Sequence, residues 1–179
     1  MVQTSGHSGN LTDSEPVIRA ATASDADAIA RVHVSSWKSA HSRVLPAEYL
    51  ESLDSAARAE EWSEILTAGR GTTLVAEANG RILGFASYGP SRDEDAEDGD
   101  LELYAIYLDP EAWGRGVARQ LIRAILADAP DGVPMSLWVL EQNERARHFY
   151  RRHGFQADGV DRIDEFGGHP VTEVRYRRG

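Results

Sequence analysis

Trp113-Gly114-Arg115-Gly116-Val117-Ala118 is the stretch that decides how this chain is read. It follows a strand-like run, Leu101-Glu102-Leu103-Tyr104-Ala105-Ile106-Tyr107-Leu108, which ends at Asp109-Pro110. It opens a helix-like run that continues from Val117 to Leu126. Strand, glycine turn and helix N-terminus together suit a phosphate group. The first N–H groups of a helix have no intrahelical partner, and the helix dipole favours a negative guest. Glycine carries no Cβ, so the guest can approach the backbone closely. Taken alone, the stretch is equally a glycine-rich start to an ordinary helix.

Outward from it, apolar patterning gives the other elements. Val17 to Ala20 is a short first strand. Ser24 is placed to cap a first helix that carries Ile29, Val32, His33, Ser36 and Trp37 at helical spacing. Pro46 interrupts, Ala47 to Leu53 suits a short helix, and Ala56 to Leu66 suits a longer one with Trp62, Ile65 and Leu66 on its apolar side. Thr72 to Ala78 and Arg81 to Tyr88 flank Asn79-Gly80, a two-residue hairpin signal. Met135 to Leu140 is short and apolar enough for a buried strand. Asn143 can cap a helix that stops at Gly154, and two strands joined at Gly167-Gly168 close the chain. Strands 101–108 and 135–140 flank one helix, which predicts a parallel βαβ unit inside a mixed α/β (α+β type), mostly antiparallel fold.

The chain has 179 residues, 41% of them hydrophobic, and no cysteine. That length suits one domain with a substantial core. Disulfides, thiolate metal sites and cysteine nucleophiles are excluded. No segment approaches the ~20 apolar residues of a membrane span. Residues 1–15 are polar, glycine-rich and without an apolar core, and are expected to be a flexible leader to a domain spanning 16–179; the expected address is cytoplasmic. A net charge of −10 argues against a nucleic-acid partner. Asp93, Glu94, Asp95, Glu97, Asp98 and Asp100 crowd one segment, either as a solvated loop or as a rim that attracts a cationic substrate.

A second motif joins the glycine turn. Leu137-Trp138-Val139-Leu140 leads to Asn143, then to Phe149-Tyr150, then to Gly154-Phe155. With both in order, the chain over about residues 16 to 177 resembles the GNAT superfamily of N-acetyltransferases. The family's signature is Arg/Gln-x-x-Gly-x-Gly/Ala; here Trp113 stands at the first position, Gly116 at the fourth and Ala118 at the sixth. Trp113 departs from the usual Arg or Gln. The resemblance implies a V-shaped splay between strands 101–108 and 135–140 that admits acetyl-CoA. It implies that Gly114, Arg115, Gly116, Val117, Ala118 and Arg119 cradle the pyrophosphate. It also implies that the backbone of Ile106, Tyr107 and Leu108 pairs with the pantetheine arm, and that Asn143 bonds that arm as well as capping its helix.

Acetyl transfer to an amine needs a neutral nitrogen, a donor for the oxyanion and a proton for the departing thiolate. Tyr150 suits the third need, because a phenol is protonated at neutral pH; its alternative is core packing. The resemblance implies that a backbone N–H near Ile106 meets the second. Glu102 is the first candidate for a proton acceptor: the resemblance implies a glutamate about eleven residues before the signature position in some family members, while an amine that arrives neutral needs no dedicated base. Glu102 is assigned to the face of Ile106 and Leu108 by alternation, and its alternative is an edge carboxylate facing solvent. Tyr104 and His33 are runners-up. Trp37 is the best acceptor wall, with Ser36 and His41 nearby, although core packing explains it equally. The six histidines form no convincing ligand set, so no metal is expected. The expected acceptor is a small primary amine, such as an amino-acid-like compound, polyamine or antibiotic, with no nucleic acid and no membrane partner; a homodimer stays open. Acetylation of a protein N-terminus or lysine is the alternative, and a noncatalytic acyl-CoA sensor is the alternative from another class.

Overall fold

Asn79 and Gly80 both adopt left-handed backbone angles (φ 52° and 74°), which is what a tight hairpin turn requires. They join β2 (Thr72–Ala78) to β3 (Arg81–Pro90) in the computed structural model, which describes residues 14–179. All but Ser14 and Glu15 of the expected leader lies outside the described residues. β1 (Val17–Ala20) pairs antiparallel with β2, and β4 (Leu101–Leu108) antiparallel with β3. β5 (Met135–Leu140) then pairs parallel with β4. The last hairpin, β6 (Gln156–Phe166) and β7 (His169–Arg178), folds back so that β7 lies against β5. The sheet order is β1-β2-β3-β4-β5-β7-β6, the expected mixed and mostly antiparallel arrangement.

Helices cover both faces. α1 (Ala26–Ala40) and α3 (Ser55–Ala68) pack on one face around Ile29, Val32, Trp62 and Phe85. α2 (Ala47–Ser52) extends that layer, with Leu45 and Leu50 meeting Leu140 and Val171. α4 (Val117–Asp128) and α5 (Glu144–Arg152) cover the other face around Leu121, Ile122, Ile125, Phe155 and Tyr176.

Two local expectations are corrected, and a third is refined. Ser24 does not cap α1. A 3-10 turn (Ala23–Asp25) precedes the helix, and Asp25 closes it by accepting the Thr22 N–H at 2.8 Å. Arg19 grips the same carboxylate with two bonds of 2.8 and 2.9 Å and holds its pKa down at about 2. Ile65 of α3 is exposed rather than apolar-side core, because Trp62 alone of that helix is buried. The acidic segment is a largely solvated loop, with Glu94, Asp95, Glu97 and Asp98 exposed, and it is anchored at three carboxylates. Asp93 accepts from Trp138 Nε1 (2.8 Å) and Ser136 Oγ (3.1 Å), Asp95 pairs with Arg175 (2.6 Å), and Asp100 with Arg177 (3.0 Å). Two arginines of β7 thus pair three of its six carboxylates and pin the segment to the sheet. Among the described residues no helix is long and apolar enough to cross a membrane.

Candidate active site

The site begins with a defect in β4. Its register against β3 slips between Ser87 and Tyr88, so Tyr104 is an extra residue in the strand. A bulge of this kind bends its strand and sharpens the twist. Beyond it β4 leaves β5: the two pair only at Leu101 with Met135 and at Glu102 with Ser136. β5 keeps its full pairing with β7. The result is a V-shaped cleft of about 1110 Å³ that opens through the sheet.

One wall of the cleft is backbone. Gly114 and Gly116 have φ of 74° and 80°, and a Cβ added to either would meet nothing within 4 Å. Gly116 caps α4 with no side-chain bond, so the first N–H groups of the helix have no intrahelical partner. Trp113, with the Arg145 guanidinium 4.9 Å over its ring, closes one side. Asn143 Oδ1 accepts the Ala146 N–H at 3.1 Å, the cap that starts α5. That helix carries Tyr150 to the cleft. Burial pushes the Tyr150 phenol well above its ordinary pKa, so it stays protonated across the neutral range.

The opposite wall is side chains. Trp37 packs against His41 (4.6 Å between centroids), Phe166 (5.0 Å) and Tyr107 (6.4 Å). Tyr104 donates to the Pro90 carbonyl at 2.5 Å and carries the Arg92 guanidinium over its ring. Trp138, Leu140 and Glu173 complete this side. Burial lowers the imidazoles of His33 and His41 to about 4, so both are neutral at pH 7.

The expected site residues divide accordingly. Ile106, Tyr107, Leu108, Trp113, Gly114, Gly116, Val117, Ala118, Arg119, Asn143, Tyr150, Trp37 and Tyr104 line one cleft. Arg115, His33 and Glu102 are not on its surface. His33 lies behind Tyr107, stacked at 4.9 Å, and accepts from Trp62 Nε1 at 3.2 Å. Glu102 does not share the face of Ile106 and Leu108. The bulge at Tyr104 resets the alternation, so Leu103 joins them in the α4-side core and Glu102 turns to the other face. There Glu102 is only 3% exposed, yet it does not face solvent or the cleft: it accepts the Arg92 N–H at 3.0 Å and pairs with the Arg92 guanidinium. Glu173, Trp138 and Arg145 are cleft residues that patterning missed. The one available signal was the alternation of Glu173 and Arg175 with Val174 and Tyr176, which marks β7 as polar on one face. Among the described residues no group of three or more His, Asp or Glu side chains could hold a metal ion.

Residues 34–155 match the model of the acetyltransferase (GNAT) family. The chain belongs to that family. This acetyltransferase is 36% identical to the uncharacterized N-acetyltransferase YuaI of Bacillus subtilis over 88% of its own length and 89% of its relative's. It is 32% identical to the uncharacterized N-acetyltransferase Rv2669 of Mycobacterium tuberculosis over 81% of this chain and 91% of the other. Among solved structures it resembles the PaiA N-acetyltransferase of Thermoplasma acidophilum, crystallised with coenzyme A. The TM-score is 0.69 at 21% identity, over 92% of this chain and 99% of that one. At that identity the likeness is one of fold.

Proposed function

We propose that this acetyltransferase moves the acetyl group of acetyl-CoA onto the primary amine of a small, cationic acceptor. The observation that carries the reading is the cleft itself, which passes through the sheet between β4 and β5. One face offers unpartnered helix N–H groups, and the other offers an aromatic chamber with a carboxylate. Donor and acceptor can therefore approach one carbonyl from opposite sides of the sheet. The coenzyme A bound to the PaiA structure supports the donor assignment.

The residues present fit that donor. The N–H groups from Gly114 to Arg119 suit the pyrophosphate, and Arg119, Arg145 and Arg152 add positive charge on that side. The β4 backbone from Ile106 to Leu108 lacks a β5 partner and suits an extended pantetheine arm. A backbone N–H there suits the oxyanion. Asn143 keeps its cap and has its amide N–H groups left for the arm. Tyr150 gives its proton to the departing thiolate. On the acceptor side, packing of Leu45 and Leu50 on Leu140 and Val171 covers the β5–β7 end, which favours a compact molecule. Trp37, Tyr104 and Tyr107 offer faces to a cation. Glu102 has the role of fixing Arg92 over Tyr104, since its carboxylate faces Arg92 and not the cleft.

Thiol release from acetyl-CoA with a panel of amines, wild type against Tyr150→Phe, tests the reading. The variant is expected to keep its acetyl-CoA affinity within twofold and lose about 10²-fold in kcat. Wild-type turnover by Tyr150→Phe would make Tyr150 a packing residue. No thiol release by the wild type with any amine would remove the function.

A further inference from the structure

We infer that Glu173 of β7 receives the acceptor's ammonium group and takes its proton. The inference rests on the reading of this cleft as a site of amine acetylation. It gives the proton-accepting role to a different strand from the one the sequence suggested.

Three placements carry it. Glu173 lines the cleft and is only 9% exposed, so an ammonium group paired with it is shielded from water. It lies opposite Leu140, the last residue of β5, where β5 stands furthest from its pairing with β4. It alternates with Val174 and Tyr176, which pack on the α4–α5 side. Its own side chain therefore shares the α1–α2 face with Val171 and Leu140. This is the face opposite the glycine turn. Tyr107 and Tyr150 line the same cleft as Glu173. A nitrogen held by Glu173 would enter the cleft from the face opposite the glycine turn, with Tyr150 on the lining of the same cleft.

The surroundings suit a base. Burial raises the Glu173 pKa, while Arg162 opposes the shift with a 3.2 Å bond from Nε to Oε1. Asp164, on the same face of β6, adds to the rise. Tyr104 and Tyr107 on β4, His41 and Arg43 after α1, and Arg175 on β7 are the other titratable or charged groups of this region. Tyr107 and His41 are neutral at pH 7, and Arg175 is saturated by Asp93, Asp95 and Asp158.

The Glu173 carboxylate takes one proton from R–NH3⁺. The neutral nitrogen bonds to the acetyl carbon, and the C–S bond breaks as Tyr150 protonates the thiolate. The nitrogen's second surplus proton restores the phenol, and Glu173 returns its proton to solvent. The products are the amide, free thiol and one proton.

The experiment is the pH profile of kcat/KM for wild type, Glu173→Gln, Arg162→Gln and the double variant, with one good amine. Calorimetric acetyl-CoA affinity and a ¹³C titration of the Glu173 carboxyl are measured alongside. Glu173→Gln is expected to bind acetyl-CoA within twofold of wild type and lose about 10²-fold in kcat/KM at pH 7. The deficit should shrink as pH nears the amine's own pKa, where solvent supplies the neutral nitrogen. Arg162→Gln should move both the carboxyl titration and the acid limb to higher pH, and should move nothing further once Glu173 is gone. That shift tests the inference even where Glu173→Gln folds poorly. A loss independent of pH, a loss confined to KM, or an acid limb unmoved by Arg162→Gln would overturn it. A wild type that acetylates no amine would instead sink the proposed function.

Discussion

The two walls of the cleft are built on different principles. The donor wall comes from short contiguous runs, 106–108, 113–119 and 143–150, and offers mainly backbone groups. The acceptor wall draws single side chains from five places: Trp37 on α1, His41 after it, Tyr104 and Tyr107 on β4, Trp138 on β5 and Glu173 on β7. Backbone donors at a helix start bind any phosphate and demand little of side-chain identity beyond glycine. Side chains gathered from distant strands can be changed one at a time. The first wall therefore suits a donor shared across a family, and the second suits an acceptor particular to this chain.

If the acceptor wall is held by side chains, removing its strut should cost most. Arg175 is 6% exposed at its side chain and bridges Asp93, Asp95 and Asp158, tying the 91–100 segment to β7 beneath Trp138. Arg175→Met leaves Asp93 buried without its cation. Breaking a buried pair in this way costs about 3–5 kcal/mol. Thermal unfolding should show a fall of roughly 10 °C. Asp93→Asn in the same background should restore part of it. A melting temperature within 2 °C of wild type, on the order of 1 kcal/mol or less, would mean that the network is ornamental.

A second difference is in response to pH. The acceptor side holds His41 in its lining and His33 behind it, and both titrate at about 4 when folded against 6.5 as free groups. Between those values the unfolded chain binds protons that the folded chain does not. Stability therefore rises with pH across this window and falls as pH drops from 6.5 toward 4. Asp25, held at about 2, stabilises the fold throughout the window and loses that contribution only as pH falls from 3.8 toward 2. Urea unfolding at pH 7.5 and pH 5 should differ by about 3 kcal/mol. Stability that is flat over this range would mean that the imidazoles are not desolvated.

The same contrast explains what could be read in advance. The glycine turn, the Asn79-Gly80 hairpin, the β4–α4–β5 unit and the Asn143 to Tyr150 helix each depend on neighbours within a few residues, so the residues themselves announce them. Glu102 defeated the reading because a single extra residue at Tyr104 reverses the alternation, and bulges leave little mark in composition. Glu173 was hidden because the insertion of β7 beside β5 depends on the topology, not on the strand's own pattern. The anchoring of Asp93, Asp95 and Asp100 left no local mark because their partners, Arg175 and Arg177, lie about eighty positions on.

The central claim is that the two walls are separable, with acetyl-CoA held by the glycine turn and not by the acceptor wall. Calorimetric titration of acetyl-CoA into Gly116→Asp and Glu173→Gln, beside the wild type, tests it directly. Gly116 sits at φ 80°, so an Asp there is strained and also brings a negative charge to the phosphates. The expected result is a tenfold to hundredfold loss of affinity, about 1.4–2.7 kcal/mol, for Gly116→Asp, and a Kd within twofold of wild type for Glu173→Gln. Equal losses in both variants, or an unchanged Kd in Gly116→Asp, would contradict it.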